Sequence, residues 1–518
     1  MEKSAHQQDL ETVRATENSP ALSPTVTLDG SVHSSPAIDV VPSEKEKAKF
    51  VDWDGPDDPK NPRNWTFRHR WAATAVVSLF TFMSPLASSM VAPALPQIAK
   101  EFNLTPGSPL ESMTLSVFVL AYAVGPLIMG PLSELYGRRW ILQGSNLVFL
   151  AFNIACSRAT SSSQLLAFRF LAGLGGSAPL AVGGGTIADL WRPEERGMAM
   201  SLYSLAPLTG PAIGPVAGAW IAEKTTWRWV FYSTSIADAV IQAVGFWYLK
   251  ETYAPTLLSI KAKQLRISTG DDTLRTAHEE KRGNVSTTRF IGSALMRSIK
   301  FLCFDPIMTV MATYMAVIYG TMYLQLTTFA SIWTTRYGQS VGIAGLHYIF
   351  MGAGFTLGAQ IGARVLDRIY NYLKKRNDNV ATPEMRLPLL AIGSFLLPIG
   401  LLIYGWTAQY TVFWLVPDIG VLTFCIGMIA SFLCIQTYIV DTYGLHAASA
   451  VAALSAFRSI AGFAFPLFST KMFSKLGLGW GNSVLALVAF VIGCPAPFLF
   501  YRYGPRLRAL ARSSRVPT

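Results

Sequence analysis

The chain has 518 residues, of which 51% are hydrophobic and 14% charged, with a formal net charge of +12. Soluble domains carry about 25% charged residues, so this composition, with a mean hydropathy of +0.34, argues against a soluble enzyme, a coiled coil and a disordered scaffold. It leaves lipid as the main solvent. Five scattered cysteines without a CxxC pair exclude a dense disulfide framework and give no zinc site.

Residues 1–64 are polar and rich in Ser, Thr, Pro, Glu and Asp. Such a segment buries too little surface to offset its ordering entropy, which predicts a disordered tail without a cleavable signal peptide. Its end, Trp53 to Trp65, is dense in turn formers. From Trp71 on, apolar stretches recur near 72–96, 111–133, 141–158, 164–190, 198–222 and 227–249. After a polar stretch they resume near 306–333, 341–366, 385–406, 411–437, 446–471 and 481–503. Each is long enough to cross a hydrocarbon core of about 30 Å as a helix. The expected fold is an all-α membrane protein with twelve transmembrane helices in two pseudo-symmetric six-helix bundles. The bundles are residues 65–249 and 306–503, joined by a central loop at 250–305 and followed by a basic tail at 504–518.

Lys and Arg set the orientation. One set of loops holds Arg138, Arg139, Arg192, Arg196, Arg364, Arg368, Lys374, Lys375, Arg376 and Arg386, and the central loop and C-terminal tail add many more. The opposite loops hold only Lys100, Arg158, Lys224, Arg336, Lys471 and Lys475. The positive-inside rule then puts both termini and the central loop in the cytosol of a multi-pass protein, with the plasma membrane the expected location. The net charge is mostly this orientation signal, so nucleic acid is not an expected partner.

The charges repeat between the halves. After span 2 comes Gly130-Pro-Leu-Ser-Glu134 leading to Arg138 and Arg139; after span 8 comes Asp367-Arg368. Span 4 ends at Asp189 and span 10 at Asp441. Arg138 is expected to pair with Asp189 and Arg368 with Asp441, as gating charges at the cytoplasmic rim of a two-domain rocking transporter. The alternative is that these charges only anchor helix ends. Span 5 carries Gly210, Pro211, Gly214, Pro215 and Gly218, and span 8 carries Gly354, Gly358 and Gly362. Glycines every fourth residue let a second backbone approach, so spans 5 and 8 are expected to meet across the domain interface.

These residues carry a resemblance. The loop from Gly130 to Arg139, the fourth-span run Arg169-Phe-Leu-Ala-Gly173-Leu-Gly175 and the fifth-span run Gly210 to Gly218 match three family motifs. Trp53–Trp65, Trp227-Arg228-Trp229, Glu251 to Pro255, and Asp441-x-Tyr443 with Arg458 add a fungal character. Over about residues 53–510 the chain resembles a major facilitator superfamily transporter of the fungal twelve-span drug:proton antiporter type. It departs at Ala363, where the family has glycine. The resemblance implies proton-coupled efflux of small organic compounds such as drugs, toxins, secondary metabolites or polyamines. It also implicates Arg169 in proton transfer.

Few ionisable residues lie deep in the spans: Arg169, Asp238, His347 and Arg458. Asp238, an intramembrane carboxyl midway along its span, is the expected proton carrier. Arginine stays charged, so Arg169 acts physically by tuning a nearby acid or water. Candidate cavity residues are Ser84, Tyr122, Tyr319, Tyr323, Gln325, Gln436 and Tyr438, joined by Arg458. Aromatic walls of this kind suit amphipathic or cationic organic compounds. The chain has no phosphate-binding Gly-Lys-Ser/Thr loop, and no nucleophile elbow or metal cluster is read from it. No enzyme activity and no cofactor are expected, only a proton gradient as driving force, a small-molecule substrate, a lipid bilayer and a functional monomer. A nutrient facilitator or importer, or a non-transporting sensor of the same fold, are the alternatives.

Overall fold

The computed structural model describes residues 50–105, 107–192, 194–282 and 286–513. Hydrocarbon offers backbone groups no partners, so a spanning segment must satisfy them within itself, and a helix does so. The spanning helices are α1 (Phe67–Ser89), α2 (Pro109–Tyr136), α3 (Arg138–Ser157), α4 (Ser162–Gly176 continued by Ala178–Leu190), α5 (Arg196–Lys224) and α6 (Arg228–Tyr248). The second half has α7 (Pro306–Thr335), α8 (Tyr348–Arg376, preceded by the short helix Val341–Leu346), α9 (Leu387–Gln409) and α10 (Leu415–Tyr443). The stretch Ala447–Gly493 is broken at Gly477, where φ is 74°, into α11 (447–476) and α12 (478–493), and Pro495–Ser513 continues α12. Side-chain caps mark several starts: Ser108 accepts from Glu111 N–H before α2, and Asp305 accepts from Ile307 and Met308 N–H before α7.

Ten continuous helical stretches among the described residues are long and apolar enough to cross a membrane. One of them, Ala447–Leu507, is two crossings joined at Gly477, and α6, diluted by Asp238 and Gln242, is the remaining one. The result is two six-helix halves, α1–α6 and α7–α12. Helix ends near Arg138, Arg196, Arg376 and Arg386 lie on one face, called the basic face below.

Two polar segments are more ordered than their composition predicts. The disordered tail was expected to reach residue 64, but residues 50–64 are strapped onto the fold; residues 1–49 lie outside the described ones. Val51 N–H donates to Arg275 C=O at 2.9 Å, Lys261 bonds Asp54 at 2.5 Å, and Arg192 bonds the Asn64 side chain at 3.3 Å. Polar side chains and backbone, not a buried core, hold this strap. The central segment, expected as a loop, forms the helices Ala254–Thr269, Ala277–Arg282 and Thr287–Phe304. The last rests on the second half through Phe301 against Tyr443, with ring centroids 5.0 Å apart, and through Ser298 bonded to Ser449 C=O.

The glycine stripes pack differently from the expectation. Gly210, Gly214 and Gly218 of α5 face α1 of their own half, where a Cβ on Gly214 would stand 2.8 Å from Leu86 C=O. Gly354 and Gly358 of α8 face α10, where a Cβ on Gly354 would stand 2.6 Å from Cys425 Cβ. A small-residue stripe reports close approach but not the identity of the neighbour. Helix α5 does meet the second half, through Ala212 against Gly352 of α8 and Ala219 against Gly345 of the short helix before it. Further toward the basic face, the same helix faces carry Met198 and Ser201 on α5 and Thr356 and Ala363 on α8, all exposed. The halves are therefore in contact along this seam at the opposite face, and at the basic face the helix Thr287–Phe304 lies against both α2 and α11.

Because Gly214 abuts backbone, Gly214→Leu is expected to push α1 off α5. Overpacking of this kind costs about 1–3 kcal/mol or more. A lowered thermal unfolding temperature of the purified protein checks this; wild-type stability would contradict it.

Candidate functional site

Helices α1, α2, α7 and α11 converge on an aromatic cluster between the halves. Tyr122 and Ser84 share a hydrogen bond at 2.6 Å, and Tyr323 reaches Ser88 across the halves at 3.4 Å. Tyr319 stacks obliquely on Tyr323 with centroids 5.1 Å apart. The Arg458 guanidinium lies 4.9 Å from the Tyr319 ring centre and 4.8 Å from that of Phe432. Gly462, one turn along α11, lets Tyr319 and Val119 approach its backbone. Arg458 Nε is buried without a hydrogen-bond partner, and no acid pairs with Arg458 among the described residues. The cluster thus offers ring faces, hydroxyls and a cation that packing alone has not satisfied.

Two residues expected in this cavity stand elsewhere. Gln325 hydrogen-bonds Asn482 of α12 inside the second half, and Tyr438 is buried against Phe500 with centroids 6.5 Å apart. A polar residue in an apolar span must find some partner, and for Gln325 that partner lies within its own half. Gln436 is half-buried on α10.

Arg169 is fully buried in α4 and donates to backbone carbonyls alone: Thr114 at 3.1 Å, Ala87 at 3.1 Å, Ser88 at 3.2 Å and Leu115 at 3.5 Å. Its guanidinium also covers the Phe118 ring at 4.6 Å. Ala87 and Ser88 belong to the last turn of α1, whose carbonyls lack intrahelical donors and carry the negative end of the helix dipole. The expected nearby acid is not among these partners.

Asp238 is fully buried between α6 and α3. Both of its oxygens lie 3.1 Å from Asn146 Nδ2, which also lies 2.7 Å from Gln242 Oε1. Gln242 Nε2 in turn donates to Gln143 Oε1 at 2.6 Å. The carboxyl has no cation partner among the described residues, and the amide chain leads from it toward the basic face.

At the basic rim, Arg138 lies 3.3 Å from Asp189 and bonds Ser133 Oγ at 2.6 Å. Glu134 is exposed. In the second half the expected pair of Arg368 with Asp441 is replaced: Arg386 meets Asp441 at 2.5 Å and lies over the Tyr370 ring. Arg386 ends the short 3-10 helix Pro383–Arg386, which brings it to α10. Asp367 and Arg368 are exposed and enter no ion pair among the described residues. Each pair lies within one half. The sequence reading also missed Glu251, whose carboxylate accepts the N–H groups of Arg138 at 2.9 Å and Arg139 at 3.2 Å. It thereby satisfies the orphan donors that start α3. Gly137, with φ 92°, sits against that carboxylate, leaving no room for a side chain. The run from Glu251 to Pro255 was the available signal.

The profile of the Major Facilitator Superfamily matches residues 77–466. The chain belongs to this family. It is 46% identical over 488 residues to the efflux pump vrtL of Penicillium aethiopicum, covering 93% of this chain and 96% of that one. It is 43% identical to the efflux pump radE of Floropilus chiversii, covering 91% and 87% of the two chains. It is 42% identical to the MFS-type transporter penM of Penicillium rubens, covering 90% and 91%. In fold it is similar to a partially occluded inward-open structure of the xylose transporter XylE from E. coli, with a TM-score of 0.61 at 15% identity over 84% of this chain and 98% of that one. Family and architecture together make it a multi-pass secondary transporter of small molecules.

Proposed function

We propose that the chain exports small organic compounds in exchange for protons, by alternating access about the seam between its halves. Similarity to fungal efflux pumps over nearly the full length, at 46% and 43% identity, carries the export reading. The positive-inside rule supports a cytosolic basic face, and hence cytosolic termini. The plasma membrane is the location this reading takes. Asp238 is the proposed proton carrier: an isolated ionised carboxylate is costly in a low dielectric, and a proton removes that cost. The rim pairs Arg138–Asp189 and Arg386–Asp441 brace the inner ends of their own halves.

The cluster around Arg458 supports a narrower cargo class than the residue types alone. Its charge is positive, so it favours aromatic compounds with an acidic or strongly accepting group and repels polyamines. Cells expressing the chain, challenged with matched aromatic acids and aromatic amines, test this by measured export. The acids are expected to leave faster. Arg458→Leu is expected to reduce acid export about tenfold, the factor that about 1.4 kcal/mol represents, and Arg458→Lys to keep part of it. Equal export of amines, or an unaffected Arg458→Leu protein, would contradict this assignment.

A further inference from the structure

The second half holds a titratable pair near the face opposite the basic one. His347, 6% exposed, joins the short helix Val341–Leu346 to α8, and its ring lies flat on Trp333 of α7 at 3.6 Å. Its Nδ1 is 2.6 Å from Asp418 Oδ2 of α10, and its Nε2 is 2.8 Å from Oε1 of Gln339, a half-buried residue of the connecting loop. Both ring nitrogens therefore meet oxygen acceptors, the pattern of an imidazolium, which donates from both. Half a turn of the Gln339 amide presents its NH2 group to Nε2 and suits the neutral ring. The site accepts either charge state at the cost of one amide rotation.

The surroundings fit a proton that moves. Asp418 is fully buried, and its Oδ1 has no hydrogen-bond partner. The buried Tyr404 hydroxyl and Gln325 Oε1 are likewise unpartnered. Both residues line one internal pocket with Val421 and Phe424, which follow Asp418 along α10. Buried polar atoms without partners are rare in folded proteins, and an unpartnered carboxylate oxygen beside an imidazole leaves a lone pair free to take a proton. The other groups around the pair are accounted for. Tyr337, just past α7, donates to Val412 C=O at 2.8 Å, Tyr348 of α8 to Leu326 C=O at 3.0 Å, and Arg336 to Gln409 C=O at 3.1 Å. Trp414, which precedes α10, meets the His347 ring edge-on at 5.9 Å.

We propose that His347 and Asp418 form a proton-binding site of the second half, reached through Gln339 from the face opposite the basic one. The proposal does not rest on the exchange reading. Asp238 lies in the other half, and the site requires no cargo to be titrated.

Tryptophan emission tests it, because an imidazolium stacked on indole quenches its fluorescence. The full chain in lipid nanodiscs is expected to show a reversible, pH-dependent emission transition. The transition should disappear in His347→Gln and in Trp333→Phe, the latter guarding against misfolding of the histidine variant. In Asp418→Asn its midpoint should move by more than about one pH unit, as expected when an opposite charge in contact is removed. In sealed vesicles with the basic face inside, the emission should follow external pH. A transition unchanged in both His347→Gln and Trp333→Phe, no transition at all, or a response to internal pH alone would overturn the proposal and leave a fixed structural ion pair.

Discussion

Asp238→Asn is expected to abolish the dependence of transport on an imposed pH gradient while the protein still folds into the membrane. Asparagine keeps the shape of the side chain and still offers Asn146 an acceptor oxygen, but it carries no exchangeable acid proton. Its amide gains two donors in a buried site, a stability cost of about 1–3 kcal/mol. The functional effect is larger in kind. A gradient of one pH unit supplies about 1.4 kcal/mol per proton, enough for about tenfold accumulation. A variant that cannot load the proton loses that factor entirely. Flux measured with and without the gradient, alongside a melting curve, separates the two effects; unchanged pH dependence would remove Asp238 from the mechanism.

The second large effect is on Arg169. Replacing it with Met removes the donors shared by the carbonyls of Ala87, Ser88, Thr114 and Leu115. Exchanging a buried charge for an apolar side chain is often neutral when its partners are exchanged too. Here the carbonyls remain, and those at the end of α1 have no helical donor to fall back on. The expected loss is about 3 kcal/mol or more, seen as a lower unfolding temperature and poor yield. Arg169→Lys is expected to recover only part of it, because an ammonium cannot span carbonyls on two helices as a guanidinium fork does. Near-wild-type stability combined with an altered pH profile would instead return Arg169 to the proton-transfer role that its motif implies.

What was legible in the sequence follows from the range of the interactions. The spans are long apolar runs, and hydropathy along a segment is local information. Helix α6 is the least apolar of them, because Asp238, Gln242 and its hydroxyl residues pack on α3, yet its run near 227–249 was still readable as a span. The Arg138–Asp189 pair could be anticipated from the repetition of charge between the halves. Its counterpart could not, since the Pro383–Arg386 turn carries a nearer arginine to Asp441 than α8 does. The glycine stripes announced tight packing while leaving the partner open, and the partners were α1 for the α5 stripe and α10 for the α8 stripe. Glu251 meets the start of α3 across 113 residues, and His347 meets Asp418 across 71. Neither contact has a periodic signature, and single charges near span ends usually read as interfacial anchors. The strap at residues 50–64 escaped for another reason: it is held by hydrogen bonds and an ion pair, which composition does not report.

The central claim is that a proton gradient drives cargo through the seam between the halves. It is tested most directly in sealed inside-out membrane vesicles with an acid interior, by uptake of the best-exported aromatic acid from the cell panel. The account predicts uptake that grows with the gradient and collapses when a protonophore is added. Uptake that ignores both, from protein shown to be folded, would contradict it.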